Sequence, residues 1–200
     1  MAPDGFLHIA EYLSPDQQSR LLAEIRAAIA AAPLYIPTMP RTGKPLSVQM
    51  TNCGPLGWVT DKIGGYRYQA HHPETGRAWP PIPDMLKTIW ADVAPTAPPP
   101  EACLINCYAA DSRLGLHCDA DEAEFTAPVV SLSLGDDAWF RIGGLKRRDP
   151  TSRLRLRSGD LVVLGGAARL AYHGIDRILP GTGSLLDAPG RINLTLRRVT

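Results

Sequence analysis

The stretch from Pro128 to Leu164, PVVSLSLGDDAWFRIGGLKRRDPTSRLRLRSGDLVVL, decides the fold. It holds four short apolar or alternating runs, Pro128–Leu134, Ala138–Ile142, Arg153–Arg157 and Asp160–Leu164, with Gly, Asp, Pro and Ser breaks between them and nothing at helical spacing. Runs of this length, bounded by turn residues, read as strands. The same grammar extends on both sides, through Ala102–Tyr108 and Leu114–Asp119 upstream and Leu170–His173 and Ile192–Val199 downstream. About eight short strands with no helical pattern among them predict an antiparallel double-sheet barrel or sandwich, a class whose eight-stranded member is the jelly roll.

The first half of the chain reads differently. Ser14, Pro15 and Gln17 have the order of an N-cap, a first-turn proline and the reciprocal partner of a capping box, and Leu21, Leu22, Ile25, Ala28, Ile29 and Ala32 follow as an apolar stripe. A second helix opens at Pro83–Asp84, carries Met85, Leu86, Ile89, Trp90 and Val93 at helical spacing, and is stopped by the proline-rich run Pro95–Pro100. Between the helices, residues 34–82 mix Gly, Pro and scattered aromatics with short β-like pieces at Leu46–Thr51 and Gly65–Gln69, so irregular surface structure is expected there. The predicted class is mainly β with flanking helices, an α+β arrangement.

A chain of 200 residues, 44% hydrophobic and 20% charged, can bury a real core and forms one domain by size. No window approaches the apolar length of a membrane span, and the N-terminus lacks the basic, apolar, small-residue order of a secretion signal, so a cytoplasmic protein is expected. Cys53, Cys103, Cys107 and Cys118 form no Cys-x-x-Cys pair, which suits free thiols in a reducing compartment. The net charge of +1 hides a segregation: Arg141, Lys146, Arg147, Arg148, Arg153, Arg155 and Arg157 face only Asp149, while Asp119, Asp121, Glu122 and Glu124 cluster upstream. The basic run reads equally as a polyanion-binding strip or as the solvated face of a strand in which Arg153, Arg155 and Arg157 alternate with leucines.

His117 and Asp119 stand two apart near the end of a predicted strand, on one face, roughly 6.6 Å between Cα atoms. Cys118 faces the other way. His173, at the end of the Leu170–His173 run and before a Gly174 turn, is the candidate third ligand. Two imidazoles and one carboxylate make the facial triad of non-heme iron oxygenases, although spacing of this kind also occurs by chance among hydrogen-bonded structural histidines. At the C-terminus Arg191, Asn193, Thr195 and Arg197 share one strand face and Ile192, Leu194 and Leu196 the other. If the polar face is inside, the two arginines require an anion, and a dicarboxylate supplies two anionic ends. A solvated polar face is the alternative.

With these residues in order, the sequence resembles the AlkB family of Fe(II)- and 2-oxoglutarate-dependent nucleic-acid dioxygenases. The likeness is carried by Asn106-x-Tyr108, Leu116-His117-x-Asp119-x-Asp121-Glu122, Gly143-Gly144-Leu145-Lys146-Arg147, Tyr172-His173-Gly174-Ile175 and Arg191-x-Asn193-Leu194-Thr195-x-Arg197. It continues upstream in Met50-Thr51-Asn52-Cys53-Gly54 and Leu56-Gly57-Trp58, covering about residues 46–198. The resemblance implies a double-stranded β-helix (jelly-roll) core over residues 99–200, with residues 1–98 supplying N-terminal helices and a nucleotide-recognition lid. It implies that His117, Asp119 and His173 bind Fe(II), and that Asn106, Tyr108, Arg191, Asn193 and Arg197 hold 2-oxoglutarate. Trp58, Tyr66, Tyr68 and Met50 would form the lid over the substrate base, with Asp121 beside it and Arg147 on phosphate. The implied reaction couples 2-oxoglutarate and O2 to succinate, CO2 and formaldehyde while dealkylating bases such as 1-methyladenine or 3-methylcytosine. Alkylated DNA is the expected partner, with RNA, tRNA or a protein side chain as alternatives, and nothing requires more than a monomer. A catalytically silent binding module with a structural metal or none is the reading from another class. Departures from the family's pattern fall at Leu34–Pro45, at the extra glycine in Gly64-Gly65, and at Trp139 and Arg141, which are bulkier or more charged than expected near such a pocket.

Overall fold

A computed structural model describes residues 3–200. The chain runs β1 (Phe6–Ile9), α1 (Pro15–Ala31), β2 (Val48–Cys53), β3 (Gly57–Asp61), β4 (Gly65–Gln69), α2 (Asp84–Val93), β5 (Ala102–Tyr108), β6 (Leu114–His117), β7 (Val129–Gly135), β8 (Asp137–Ile142), β9 (Ser152–Leu156), β10 (Leu161–Leu164), β11 (His173–Leu179) and β12 (Arg191–Arg197). The strands β5 to β12 form the expected eight-stranded antiparallel core. Four of them lie in a six-stranded sheet ordered β1-β10-β7-β12-β5-β2 and the other four in a sheet ordered β6-β11-β8-β9, while β3 and β4 pair as a separate hairpin.

Both helices form where their signals stand. Ser14 accepts from the Gln17 amide while the Gln17 side chain accepts from the Ser14 amide, closing the capping box. Leu21, Leu22, Ile25 and Ala28 of α1 and Leu86, Ile89 and Trp90 of α2 cover the outer face of the large sheet, packing on Leu132, Leu134, Leu194 and Leu196. The opposite face turns toward the small sheet. There Arg191, Asn193 and Thr195 of β12 stand in register with Tyr108 and Asn106 of β5 and with Ser133 and Ser131 of β7, so polar side chains from three adjacent strands line the space between the sheets. The polar face of the C-terminal strand is therefore inside: every residue from Arg191 to Arg197 is buried.

Three elements differ from the sequence reading. β1 and β3 form where no strand was expected; β1 has only four residues and draws its stability from the ladder with β10. The run Leu170–His173 is not a strand. A 3-10 turn at Gly166–Ala168 precedes it, and β11 begins at His173 and continues to Leu179, with an irregularity between Ile175 and Arg177 that interrupts the period-two pattern. Gly174 is accordingly a strand residue, and a Cβ there would come within 2.6 Å of the Leu114 carbonyl oxygen, so only glycine permits β11 to approach β6 this closely. Among the described residues no helix is long and apolar enough to cross a membrane, and all four cysteines are free.

Candidate active site

His173 opens β11 directly opposite His117, the last residue of β6, and this register sets the two rings 4.5 Å apart between centroids. Asp119 lies two residues past the end of β6, in a loop rather than in the strand. The ligand atoms of the three side chains all lie within 4.8 Å of one another. Each imidazole engages a backbone carbonyl through Nδ1, His117 with Gly115 at 3.0 Å and His173 with Ala171 at 2.9 Å, which puts the ring proton on Nδ1 and leaves Nε2 free to ligate. The two Nε2 atoms stand 3.6 and 3.7 Å from the Asp119 carboxylate, too far for a good hydrogen bond and close enough to share one ion.

Electrostatics agree with a ligand role. Burial, reinforced by the neighbouring His117, pushes His173 down to about 4, so the ring is neutral at physiological pH. Burial alone would raise the Asp119 carboxyl, but Arg197 and the two histidines outweigh it and hold the group well below the usual carboxylate range.

Beside the triad the arginines lie as the C-terminal pattern predicts, but in unlike surroundings. Arg191, only 1% exposed, donates through Nη2 to Ser133 Oγ (2.8 Å) and Asn193 Oδ1 (2.5 Å), while its Nε and Nη1 have no partner. Arg197 donates through Nη1 to Tyr68 Oη (2.8 Å) and Glu122 Oε1 (3.0 Å). Its Nη2 stands 2.8 Å from Asp119 Oδ2 but out of line, so that oxygen accepts no hydrogen bond, and Arg197 Nε is also without a partner. Asn106 Oδ1 is the remaining buried orphan among the described residues. A buried donor left unpaired costs about 1–3 kcal/mol. The orphans of Asn106, Asp119, Arg191 and Arg197 all belong to side chains lining one cavity, whose other wall is apolar: Leu114, Val129, Phe140, Leu156, Val162 and Ile175. Unused donors, a bare carboxylate oxygen and two free Nε2 atoms fit a divalent cation with a small dicarboxylate beside it.

The family model described as the 2OG-Fe(II) oxygenase superfamily matches residues 5–197. The chain is 57% identical over 156 residues to the alpha-ketoglutarate-dependent dioxygenase AlkB homolog of Caulobacter vibrioides, covering 78% of this chain and 70% of that protein. It is 47% identical over 161 residues to the alpha-ketoglutarate-dependent dioxygenase AlkB of Escherichia coli K12, covering 78% and 73%. The structure of OsALKBH1 superposes with a TM-score of 0.82 at 33% identity, over 99% of this chain and 100% of that one. The chain belongs to the AlkB family. It is an Fe(II)- and 2-oxoglutarate-dependent dioxygenase.

The substrate-side residues expected of an AlkB-family enzyme fall on β3, β4 and β2, in the Asp119 loop and in the turn between β8 and β9. Trp58 of β3 and Tyr66 of β4 stack with ring centroids 5.7 Å apart and planes at 22°. The Trp58 indole N–H donates to Asp121 Oδ2 at 2.8 Å, which ties the hairpin to the loop bearing Asp119. Tyr66 is exposed, whereas Tyr68 turns its hydroxyl inward to Glu122 (2.5 Å) and receives the Arg197 bond; burial raises that phenol above its ordinary range. Met50, on β2, is buried opposite Asn106 within the apolar cluster of Val48 and Tyr108. Arg147 is exposed in the turn between β8 and β9, whose Gly143 and Gly144 bond to the backbone of Tyr172 beside His173.

Trp139 and Arg141 require a correction, because they point away from the cavity. Phe140 lines it, and alternation along β8 sends its neighbours to the outer face, where Arg141 pairs with Asp176 at 2.6 Å and Arg153 stacks on Trp139. Much of the basic run proves to be a strand face: Arg153 and Arg155 pair with Asp176 and Asp137. Sequence reasoning missed Arg169 altogether and assigned Glu122 no task. Arg169 is 3% exposed, and the available signal was a single charge inside the apolar segment Gly166–Ala171.

Proposed function

We propose that this enzyme oxidatively dealkylates N-alkylated bases in nucleic acid, such as 1-methyladenine and 3-methylcytosine, with repair of alkylated DNA as its role. The observation that carries the reading is the Trp58–Asp121 contact: an indole stacked on Tyr66 and bonded to a carboxylate two residues from the metal ligand Asp119. Methylation at a ring nitrogen makes adenine or cytosine cationic, and a cation is favoured by an aromatic face and by a carboxylate at once. A base within a duplex cannot reach a buried metal, so the enzyme flips its target or takes single strands, and stacking supplies the hold.

In this reading His117, Asp119 and His173 hold Fe(II), which when bound supplies oxygen activation coupled to 2-oxoglutarate decarboxylation. Arg191, deep between the sheets and free at Nε and Nη1, takes the distal carboxylate of 2-oxoglutarate, with Asn106, Tyr108 and Asn193 around it. Burial pushes the Tyr108 hydroxyl up to about 12, so it stays a neutral donor. Arg197, next to Asp119, compensates the carboxylate at the metal end. The apolar wall of Phe140, Val162 and Ile175 excludes water, and the lid orients the N-alkyl group toward the open side of the triad. Hydroxylation of an N-methyl group leaves a carbinolamine that releases formaldehyde and the parent base. Arg147, with Lys146 and Arg148, meets phosphates and gives sequence-blind affinity. The first half of the chain supplies both helices, the β3–β4 hairpin as lid and the edge strands β1 and β2 of the large sheet, residues 99–200 supply the eight core strands, and the free thiols suit a cytoplasmic protein.

The test is a turnover panel. With Fe(II), 2-oxoglutarate and O2, oligonucleotides carrying 1-methyladenine or 3-methylcytosine should yield succinate and formaldehyde together, in DNA above RNA and tRNA. Turnover no higher than with unmethylated oligonucleotide would refute the proposal.

A further inference from the structure

Glu122 has no exposed side-chain surface, and its carboxylate bridges two guanidinium groups: Oε2 meets Arg169 Nη2 at 3.2 Å and Oε1 meets Arg197 Nη1 at 3.0 Å. Arg169 uses its remaining donors on the loop behind the metal ligand. Nη1 donates to the Asp119 carbonyl at 2.8 Å and Nε to the Ala127 carbonyl at 3.0 Å. That loop carries Asp119 outside any strand, so no sheet ladder fixes it. The metal carboxylate thus depends for its position on a side-chain bond to its own backbone. Arg197 needs restraint as well. Left to itself beside Asp119, a guanidinium would form a two-pronged pair with the carboxylate and occupy the oxygens that a metal needs. Here Nη1 is drawn to Glu122 and the Tyr68 hydroxyl instead, and only Nη2 approaches Asp119 Oδ2, at 2.8 Å and out of line, so that this oxygen accepts no hydrogen bond.

We propose that the buried Arg169–Glu122 pair is a positioning clamp, which fixes the Asp119 loop from behind and limits Arg197 to a single out-of-line Nη2 contact with the Asp119 carboxylate, so that metal and cosubstrate can both be taken. The inference rests on the site reading given above and adds to it two residues that touch neither metal nor cosubstrate. Their contribution is orientation. Substitutions in a shell of this kind lower metal affinity by about 10–100-fold.

The experiment measures Mn(II) binding to the purified protein by titration calorimetry, then 2-oxoglutarate binding to the Mn(II) form, then KM for 2-oxoglutarate and kcat with Fe(II). Glu122→Gln keeps the shape and frees Arg197; about tenfold weaker Mn(II) binding and a rise in KM larger than the fall in kcat are expected. Arg169→Lys keeps the charge but loses the fork, and should weaken Mn(II) binding alone to a similar degree while the melting temperature shows that the protein is folded. Because Glu122→Gln leaves Arg169 buried without its counter-charge and so destabilises the fold, the Glu122→Gln/Arg169→Gln double variant removes both charges together. It should retain the Mn(II) deficit. A folded double variant that binds Mn(II) and 2-oxoglutarate as tightly as wild type would reduce the pair to charge balance and overturn the clamp, and so would Arg169→Lys with wild-type Mn(II) affinity. Arg197→Lys separates the two readings. If it leaves 2-oxoglutarate affinity unchanged, the cosubstrate assignment of Arg197 fails, whereas the Mn(II) arm still decides the clamp through Asp119.

Discussion

Replacing Arg191 with methionine should move binding and stability in opposite directions. Arg191 is a fully buried cation with two unused donors, and burial presses its pKa below the ordinary value. In the cosubstrate complex each donor would make a charge-assisted hydrogen bond worth about 1.5–3 kcal/mol, so the variant loses about 3–6 kcal/mol. That is roughly a 10²- to 10⁴-fold rise in Kd for 2-oxoglutarate. Without cosubstrate the balance reverses. An apolar chain of similar length in place of an uncompensated buried charge stabilises by about 1–4 kcal/mol. From this is subtracted about 1 kcal/mol for the lost bond to Ser133; Asn193 Oδ1 keeps its bond from Ser131. At about 2–4 °C per kcal/mol for a chain of this size, the Mn(II)-loaded, cosubstrate-free variant should melt a few degrees above wild type. Scanning calorimetry with and without 2-oxoglutarate reads both effects. A variant that melts below wild type and is still raised by 2-oxoglutarate to the wild-type extent would show that Arg191 serves the core and not the cosubstrate.

Three further outcomes follow from the site. His173→Ala should eliminate 2-oxoglutarate turnover and reduce Mn(II) binding, measured as succinate release and by electron paramagnetic resonance; retained turnover would mean that the metal sits elsewhere. Trp58→Ala should raise KM for methylated oligonucleotide by about 5- to 150-fold, the equivalent of about 1–3 kcal/mol of stacking, with kcat altered less, and an unchanged KM in steady-state assays would remove Trp58 from the base site. Arg147→Ala should weaken binding equally across oligonucleotide sequences and lower the slope of log K against log salt by about 1, as fluorescence anisotropy at several salt concentrations would show; an unchanged slope would leave Arg147 off the phosphate path.

Regular chemistry was legible and conditional chemistry was not. The capping box at Ser14 and the alternation from Arg191 to Arg197 were readable because a helix start and a two-sided strand each impose a local pattern. His117, Asp119 and His173 converge as the spacing implied, yet the route differs, since Asp119 is off the strand and His173 opens its strand instead of closing it. Register across a sheet decides such matters, and sequence separation does not record register. β3 was missed because Gly57-Trp58-Val59-Thr60-Asp61 is a short run in a Gly- and Pro-rich stretch, steadied by cross-strand pairing of Trp58 with Tyr68 and Thr60 with Tyr66. Arg169 and Glu122 left little trace because a charge that works from behind a ligand makes no motif with it: they are far apart in the chain and meet only when the 3-10 turn before β11 and the Asp119 loop close together.

The central place of β12 sets a boundary on how this enzyme can move. Both of its edges are hydrogen-bonded, to β5 and to β7, so its amides exchange with solvent only when the whole protein opens. The arginine-lined half of the cavity is therefore permanent architecture, present before any small molecule arrives. The half built on the Asp119 loop and the β3–β4 hairpin has no such ladder behind it, and adjustment to differently shaped alkylated bases must be concentrated there.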